Sequence, residues 1–234
     1  MKGSELRLIE YMEGSKKRFI IPVYQRNYDW KIENCKQLYD DLIQVIKNNS
    51  KTHFFGSIVS VYEPSGRNTE FLIIDGQQRL TTMSLLFLAL YNLLEEKIII
   101  SEDESLKDQI YEDFLVDKYQ PQEKRMKLKP IKNDQKAFSK LFNSKDDYIK
   151  DSNLTINYSY FYERIQKQEI TIDELFDAIC RLEIINITLN NEDNPQLIFE
   201  SLNSTGLDLS EGDKIRNYIL MGLPKQKQDE YYEK

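Results

Sequence analysis

Apolar residues recur three and four positions apart through Ile32, Cys35, Leu38, Leu42, Ile43 and Ile46, which predicts an amphipathic helix over about 30–47 with Asp29 as its N-cap. The same spacing in Leu6, Leu8, Ile9 and Met12 predicts a short first helix, and Pro22 keeps the run 19–24 extended. Residues 53–61 (HFFGSIVSV) are β-branched and aromatic, and a Pro64-Ser65-Gly66 turn leads to a second such run at 70–74, so the two predict a hairpin. Asp75-Gly76 closes that hairpin, and residues 77–94 hold helix formers without Gly or Pro. The uncharged stretch from Leu80 to Leu94 falls short of the roughly 20 residues that span a bilayer, and it predicts a helix buried on most sides. Further helices are expected at 105–119, 134–142, 158–168 and 171–178, with 143–153 as a polar, mobile loop. A strand is expected at 180–189, then helices from Asn194 through Leu202 and from Ser210 through Leu220.

Composition narrows the classes. With 234 residues, 40% hydrophobic, and only 8 Gly and 6 Pro, the chain can bury a sizeable core and has little material for linkers. The excess of acids over bases, a net charge of −7, argues against wholesale coating of nucleic acid but leaves room for local basic patches. Two cysteines and one histidine cannot complete the usual zinc cages, and a Ser-His-Asp triad would have to use His53, which beside two Phe residues reads as structural. The amino-terminal segment alternates charged and apolar residues and does not read as a secretory signal, so a reduced, cytoplasmic protein is expected, with no membrane partner.

Four segments carry candidate chemistry. In IIDGQQRLTT (73–82) a glycine turn feeds a helix whose first free N–H groups favour a phosphate or carboxylate. Arg79 adds a planar cationic fork, Thr81 and Thr82 hydroxyls, and Asp75 a carboxylate able to hold magnesium or orient a water. The plainer reading makes Asp75 a helix cap, Gly76 a turn residue and Arg79 the partner of a surface carboxylate. In IPVYQRNYDW (21–30), amides, an arginine and three aromatic rings suit base stacking and phosphate grip, or else form a hydrophobic corner with Arg26 snorkelling. In residues 199–217, Gly206 and Ser210 punctuate two helices, and Asn203, Ser204, Thr205, Lys214 and Arg216 are polar extras able to face a ligand. Residues 124–132 (KRMKLKPIK) form the most basic segment, able to touch a nucleic-acid backbone or to lie as a strand or loop with lysines on a solvated face.

Taken in order, IPVYQRNYDW, HFFGSIV, IIDGQQRLTT and FESLNSTGLDLSEGDKIRNYIL resemble the N-terminal domain of GmrSD-type, modification-dependent restriction endonucleases. The resemblance implies an α+β fold: a ParB/sulfiredoxin-like small mixed sheet with helices, elaborated by more helices. Residues 1–100 would form the core, 101–178 a helical insertion, and 179–234 a returning strand with closing helices. It implies nucleoside triphosphate hydrolysis with Mg2+ at Asp75, Gln77, Gln78 and Arg79, with Asp75 as metal ligand. Nucleotide contacts would come from Gly76, Thr81, Thr82, Gln25, Arg26, Gly56, Ser57 and Asn203. Sensing of DNA, modified DNA in particular, would fall to Pro22, Tyr24, Gln25, Arg26 and Tyr28. Full-length relatives continue into an HNH-type nuclease domain, which residues 1–234 do not contain, so a nuclease supplied by more chain or by a separate subunit is implied; a homo-oligomer is compatible. Two other classes stay open: a non-catalytic DNA-binding or regulatory module, and a ParB-like nuclease acting by itself.

Overall fold

The structure, a computed structural model, describes residues 1–65 and 68–190 and the single positions 193, 198, 219, 220, 223 and 227. The helices expected at 194–202 and 210–220 and the polar block at 199–217 lie outside the described residues, apart from isolated positions. The fold is α+β, with six strands in one mixed sheet and seven α-helices among the described residues. The strands are β1 (Lys2–Arg7), β2 (Lys17–Ile20), β3 (His53–Ser65), β4 (Asn68–Asp75), β5 (Leu128–Lys129) and β6 (Leu182–Leu189), in the spatial order β1-β6-β3-β4-β2-β5. The hairpin β3–β4 is antiparallel, β3 pairs parallel with β6, and β2 pairs parallel with both β4 and β5. Consequently the ends of β2 and β4 and the start of β3 meet at one end of the sheet, and the hairpin tip and the start of β2 lie at the other.

The helices are α1 (Leu8–Met12), α2 (Ile32–Lys47), α3 (Gln77–Glu95), α4 (Leu106–Gln109), α5 (Lys132–Lys140), α6 (Asn153–Gln166) and α7 (Ile172–Cys180), with a π-helical turn at Ile110–Leu115. Strand alternation divides the apolar residues between two faces. Ile58, Ile73 and Ile184 join the main core, which includes α2 residues Cys35, Leu38, Tyr39, Leu42 and Ile43 and most of α3. Val59, Ile74 and Leu189 point the other way and pack with Tyr24 and Leu220. Helix α3 is buried nearly all round, as its uncharged run predicts, and no helix among the described residues is long and apolar enough to cross a membrane.

Several elements differ from their sequence expectation. Leu6 belongs to a strand, because residues 2–7 pair antiparallel with β6, a partner nearly the whole chain away that no local window contains. Asp29 caps nothing: α2 begins only at Ile32, since the backbone N–H of Asp29 is engaged by Gln78. The helical stretch after 105 ends at Leu115, where the chain turns and the buried carboxylate of Asp117 collects the amides of Lys16 and Tyr119. Helix α6 starts five residues earlier than predicted, with the Ser152 hydroxyl accepting from the Leu154 amide. Within the polar stretch before it, Lys145 is tied to Glu96 and Tyr162. In the basic segment the lysines do not all lie on a solvated face: Lys127 is 1% exposed and its ammonium donates to the carbonyls of Gly14 and Asp113.

Candidate functional site

At the sheet end where β4 stops, Gly76 takes a left-handed conformation (φ 94°) and starts α3 as its N-cap. A Cβ there would lie 3.0 Å from Ile58 Cγ1 and 3.2 Å from the Ser57 carbonyl, so both backbone angle and space select glycine. No side chain caps α3 among the described residues. Asp75 is therefore not its cap; the N–H groups of Gln77, Gln78 and Arg79, which no described residue engages, form the electropositive end of a 19-residue helix, with Gln77 and Gln78 themselves buried.

Arg79 lies back across this turn. Its guanidinium donates to the Ser57 carbonyl at 2.6 Å and to Asp75 Oδ2 at 3.0 Å, an i,i+4 ion pair with both side chains about one quarter exposed. Its Nε is buried without a partner. The arginine can lie so close because β3 carries a bulge at Phe54/Gly56 and Gly56 (φ 131°) has no side chain; a Cβ would come within 3.1 Å of Arg79 Cδ, Nε and Nη1. Asp75, Gly76, Arg79, Gly56 and Ser57, drawn from two strands and a helix, thus converge.

The 21–31 loop is fastened onto the same helix end. Gln25, 2% exposed, donates to the Ile74 carbonyl at 2.8 Å. Gln78 spends its whole amide on the loop: Oε1 accepts from Asp29 N at 2.9 Å and Trp30 N at 3.2 Å, and Nε2 donates to the Asn27 carbonyl at 3.1 Å. Tyr28 reaches into the core to Thr82 Oγ1 at 2.7 Å, and its amide donates to Asp134 at 2.6 Å. Burial raises the Asp134 carboxyl above the usual range against that hydrogen bond, and burial likewise pushes the neighbouring Cys35 thiol up to about 12.

The candidates therefore divide by what their side chains are doing. Pro22, Tyr24, Gln25 and Tyr28 are buried, with Tyr24 in the second core and Tyr28 in the first, while Arg26 is partly exposed. Thr81 and Thr82 are buried inside α3. Gln77, although only 8% exposed, has an amide that no described residue engages. Asn203 lies outside the described residues. Sequence reasoning missed Asn157 on α6, whose Nδ2 donates to Tyr28 Oη at 2.9 Å and to the Trp30 carbonyl at 2.8 Å. A signal was present: Asn157 interrupts the apolar series Leu154, Tyr158, Phe161 and Ile165 at helical spacing, which marks a buried amide with a distant partner.

Two comparisons complete the picture of the site. The family model described as GmrSD restriction endonuclease, N-terminal domain, matches residues 8–220 and so spans every residue of the convergent cluster. No similar curated protein was found.

Proposed function

Because the chain belongs to the family of GmrSD restriction endonuclease N-terminal domains, we propose that this restriction-system domain binds and hydrolyses a nucleoside triphosphate at the Gly76 turn and uses the nucleotide state to govern a nuclease acting on DNA, modified DNA in particular. The observation that carries this reading is the N-terminus of α3, which no described side chain caps, set beside a guanidinium about one quarter exposed, the combination of oriented N–H groups and planar cation that suits a phosphate chain. Among the described residues no three metal-ligating side chains gather. Magnesium would arrive with the triphosphate, and Asp75 is the carboxylate that would hold it, in keeping with the one or two carboxylates by which Mg2+ is usually bound; the ion would supply charge neutralisation of the phosphates. Arg79 then exchanges the Ser57 carbonyl and Asp75 for phosphate oxygens, which frees Asp75 for the cation or for orienting water. Gln77 is the amide available to a ligand, whereas Gln78 holds the loop.

Phosphate release from ATP, GTP, CTP and UTP with magnesium tests this, comparing the parent with Arg79→Ala and Asp75→Ala. The parent is expected to turn over at least one triphosphate and both variants to lose about tenfold or more, the scale of a lost charge-assisted contact. Folded variants that hydrolyse as well as the parent would remove the assignment.

A further inference from the structure

Charge along this chain is unevenly distributed. Between residues 124 and 140 stand seven cations, Lys124, Arg125, Lys127, Lys129, Lys132, Lys136 and Lys140, against the single acid Asp134, in a chain whose net charge is −7. Tertiary structure lays this segment along one border of the molecule, since β5 is the terminal strand of the sheet. The segment starts beside β2, where the Arg18 guanidinium meets the Glu123 carbonyl at 3.3 Å and Phe19 N donates to the Lys127 carbonyl at 2.7 Å. It then runs parallel to β2, with Ile21 N on the Lys129 carbonyl at 2.9 Å, and reaches the candidate site, where Asp134 holds the Tyr28 amide. A cleft lined by four cations, Lys16, Lys17, Arg18 and Lys124, and two carboxylates, Glu70 and Asp117, opens at its far end.

Two features separate this border from an ordinary solvated face. Most of its acids are engaged: Asp134 by the Tyr28 amide, Asp117, nearby and 4% exposed, by the amides of Lys16 and Tyr119, and Glu70 by Arg18 at 3.9 Å, which leaves the exposed Glu123 beside Lys124. Lys124, Arg125, Lys132 and Lys136 are all exposed, and none of them makes an ion pair among the described residues. Protection of an edge strand against stray pairing accounts for a lysine or two on β5, but not for Lys132 and Lys136 on α5 or for Lys16 on the far side. The eight steps from 124 to 132 reach at most about 26 Å when extended, the rise of roughly seven or eight base pairs at about 3.4 Å each.

We infer that the β5–α5 border is a track for the phosphate backbone of duplex DNA, leading from the start of β2 to the Gly76 site. The inference rests on the DNA part of the proposed function and gives it a surface. The aromatic side chains of the 21–31 loop are largely spent on packing, so backbone contact along this border supplies an affinity that the loop does not.

The test is fluorescence anisotropy with a short duplex, plain and cytosine-modified, from about 50 to about 200 mM salt. It compares the parent with the combined variant Lys124→Ala, Arg125→Ala, Lys132→Ala and Lys136→Ala, and with a variant in which the three lysines are changed to Arg. The parent is expected to bind with a steep salt dependence. The alanine variant, melting at the parental temperature, should lose about tenfold or more in affinity, with a log–log salt slope shallower by about 3 to 4, and the arginine variant should bind as the parent does. A parent that binds and an alanine variant that binds equally well would overturn the track while leaving the DNA reading in place. A parent that binds neither duplex would overturn both, and polyglutamate that displaces the duplex at equal charge would assign the border to an acidic polypeptide instead. Loss of binding by the arginine variant would remove the electrostatic argument.

Discussion

Replacing Gln78 by alanine removes one side chain that holds three backbone groups of the loop. The two N–H groups at Asp29 and Trp30 and the carbonyl of Asn27 lose their partner together. Each buried group left unsatisfied costs about 1–3 kcal/mol. Asn27 and Asp29 are exposed residues whose backbone can turn toward water, whereas Trp30 is partly buried and its carbonyl stays bound to Asn157. The net cost worked from this is about 3 kcal/mol, equivalent in a chain of this size to a fall in melting temperature of roughly 6–12 °C. The loss should be local at first: hydrogen exchange at the amides of Asp29 and Trp30 accelerates, while those within α3 stay protected. Gln78→Glu keeps an oxygen that accepts from 29 and 30 but sets a second acceptor against the Asn27 carbonyl, so exchange at 29 and 30 should stay slower than in Gln78→Ala. A melting temperature within about 2 °C of the parent, less than the shift expected for 1 kcal/mol, together with unchanged exchange at 29 and 30, would refute the view that this amide fastens the loop.

Gly76→Ala places a Cβ in the left-handed region and against Ile58 and the Ser57 carbonyl. A destabilisation of about 2 kcal/mol or more is expected, read as a melting-temperature drop of roughly 4–8 °C, whereas Gly3→Ala, where nothing lies within 4 Å, should be neutral within about 0.5 kcal/mol. Burial lowers the Lys127 ammonium from its ordinary value to about 8. The unfolded chain therefore binds more protons at this residue between about pH 8 and 10.4, so its contribution to stability rises with pH across that window. Chemical denaturation of the parent and Lys127→Met at pH 7.5 and 9.5 should show the difference moving in the parent's favour by about 2 kcal/mol; a difference that does not change with pH would show that the ammonium is not held in a protonation-sensitive burial.

Much of the fold could be read locally. The hairpin at β3–β4, the buried α3 and the apolar face of α2 follow from periodicity, since each is a pattern of two or 3.6 residues that fits within one window. The glycine turn between β4 and α3 was legible for the same reason, and with it Asp75, Gly76 and Arg79 as neighbours. What those residues touch was not. Gly56 and Ser57 reach Arg79 through a bulge in another strand, and the amide of Gln78, a catalytic candidate in the sequence, bonds to the backbone of 27–30. Lys127 looked like one of a row of surface lysines, and only the approach of Gly14 and Asp113 shows that it is buried.

The sequence by itself determined the longer helices and the β3–β4 hairpin, the glycine turn at Gly76, and which block of residues carries the net positive charge, because these depend on spacing and composition. Tertiary structure decided that residues 2–7 are a strand, that β5 closes the sheet beside β2 and lines up the basic segment, and that Asn157 and Gln78 hold the loop at the site. Those outcomes depend on hydrogen-bond partners about 50 to 180 positions away. A backbone or amide group must find some partner when buried, but which one is set by how the elements pack.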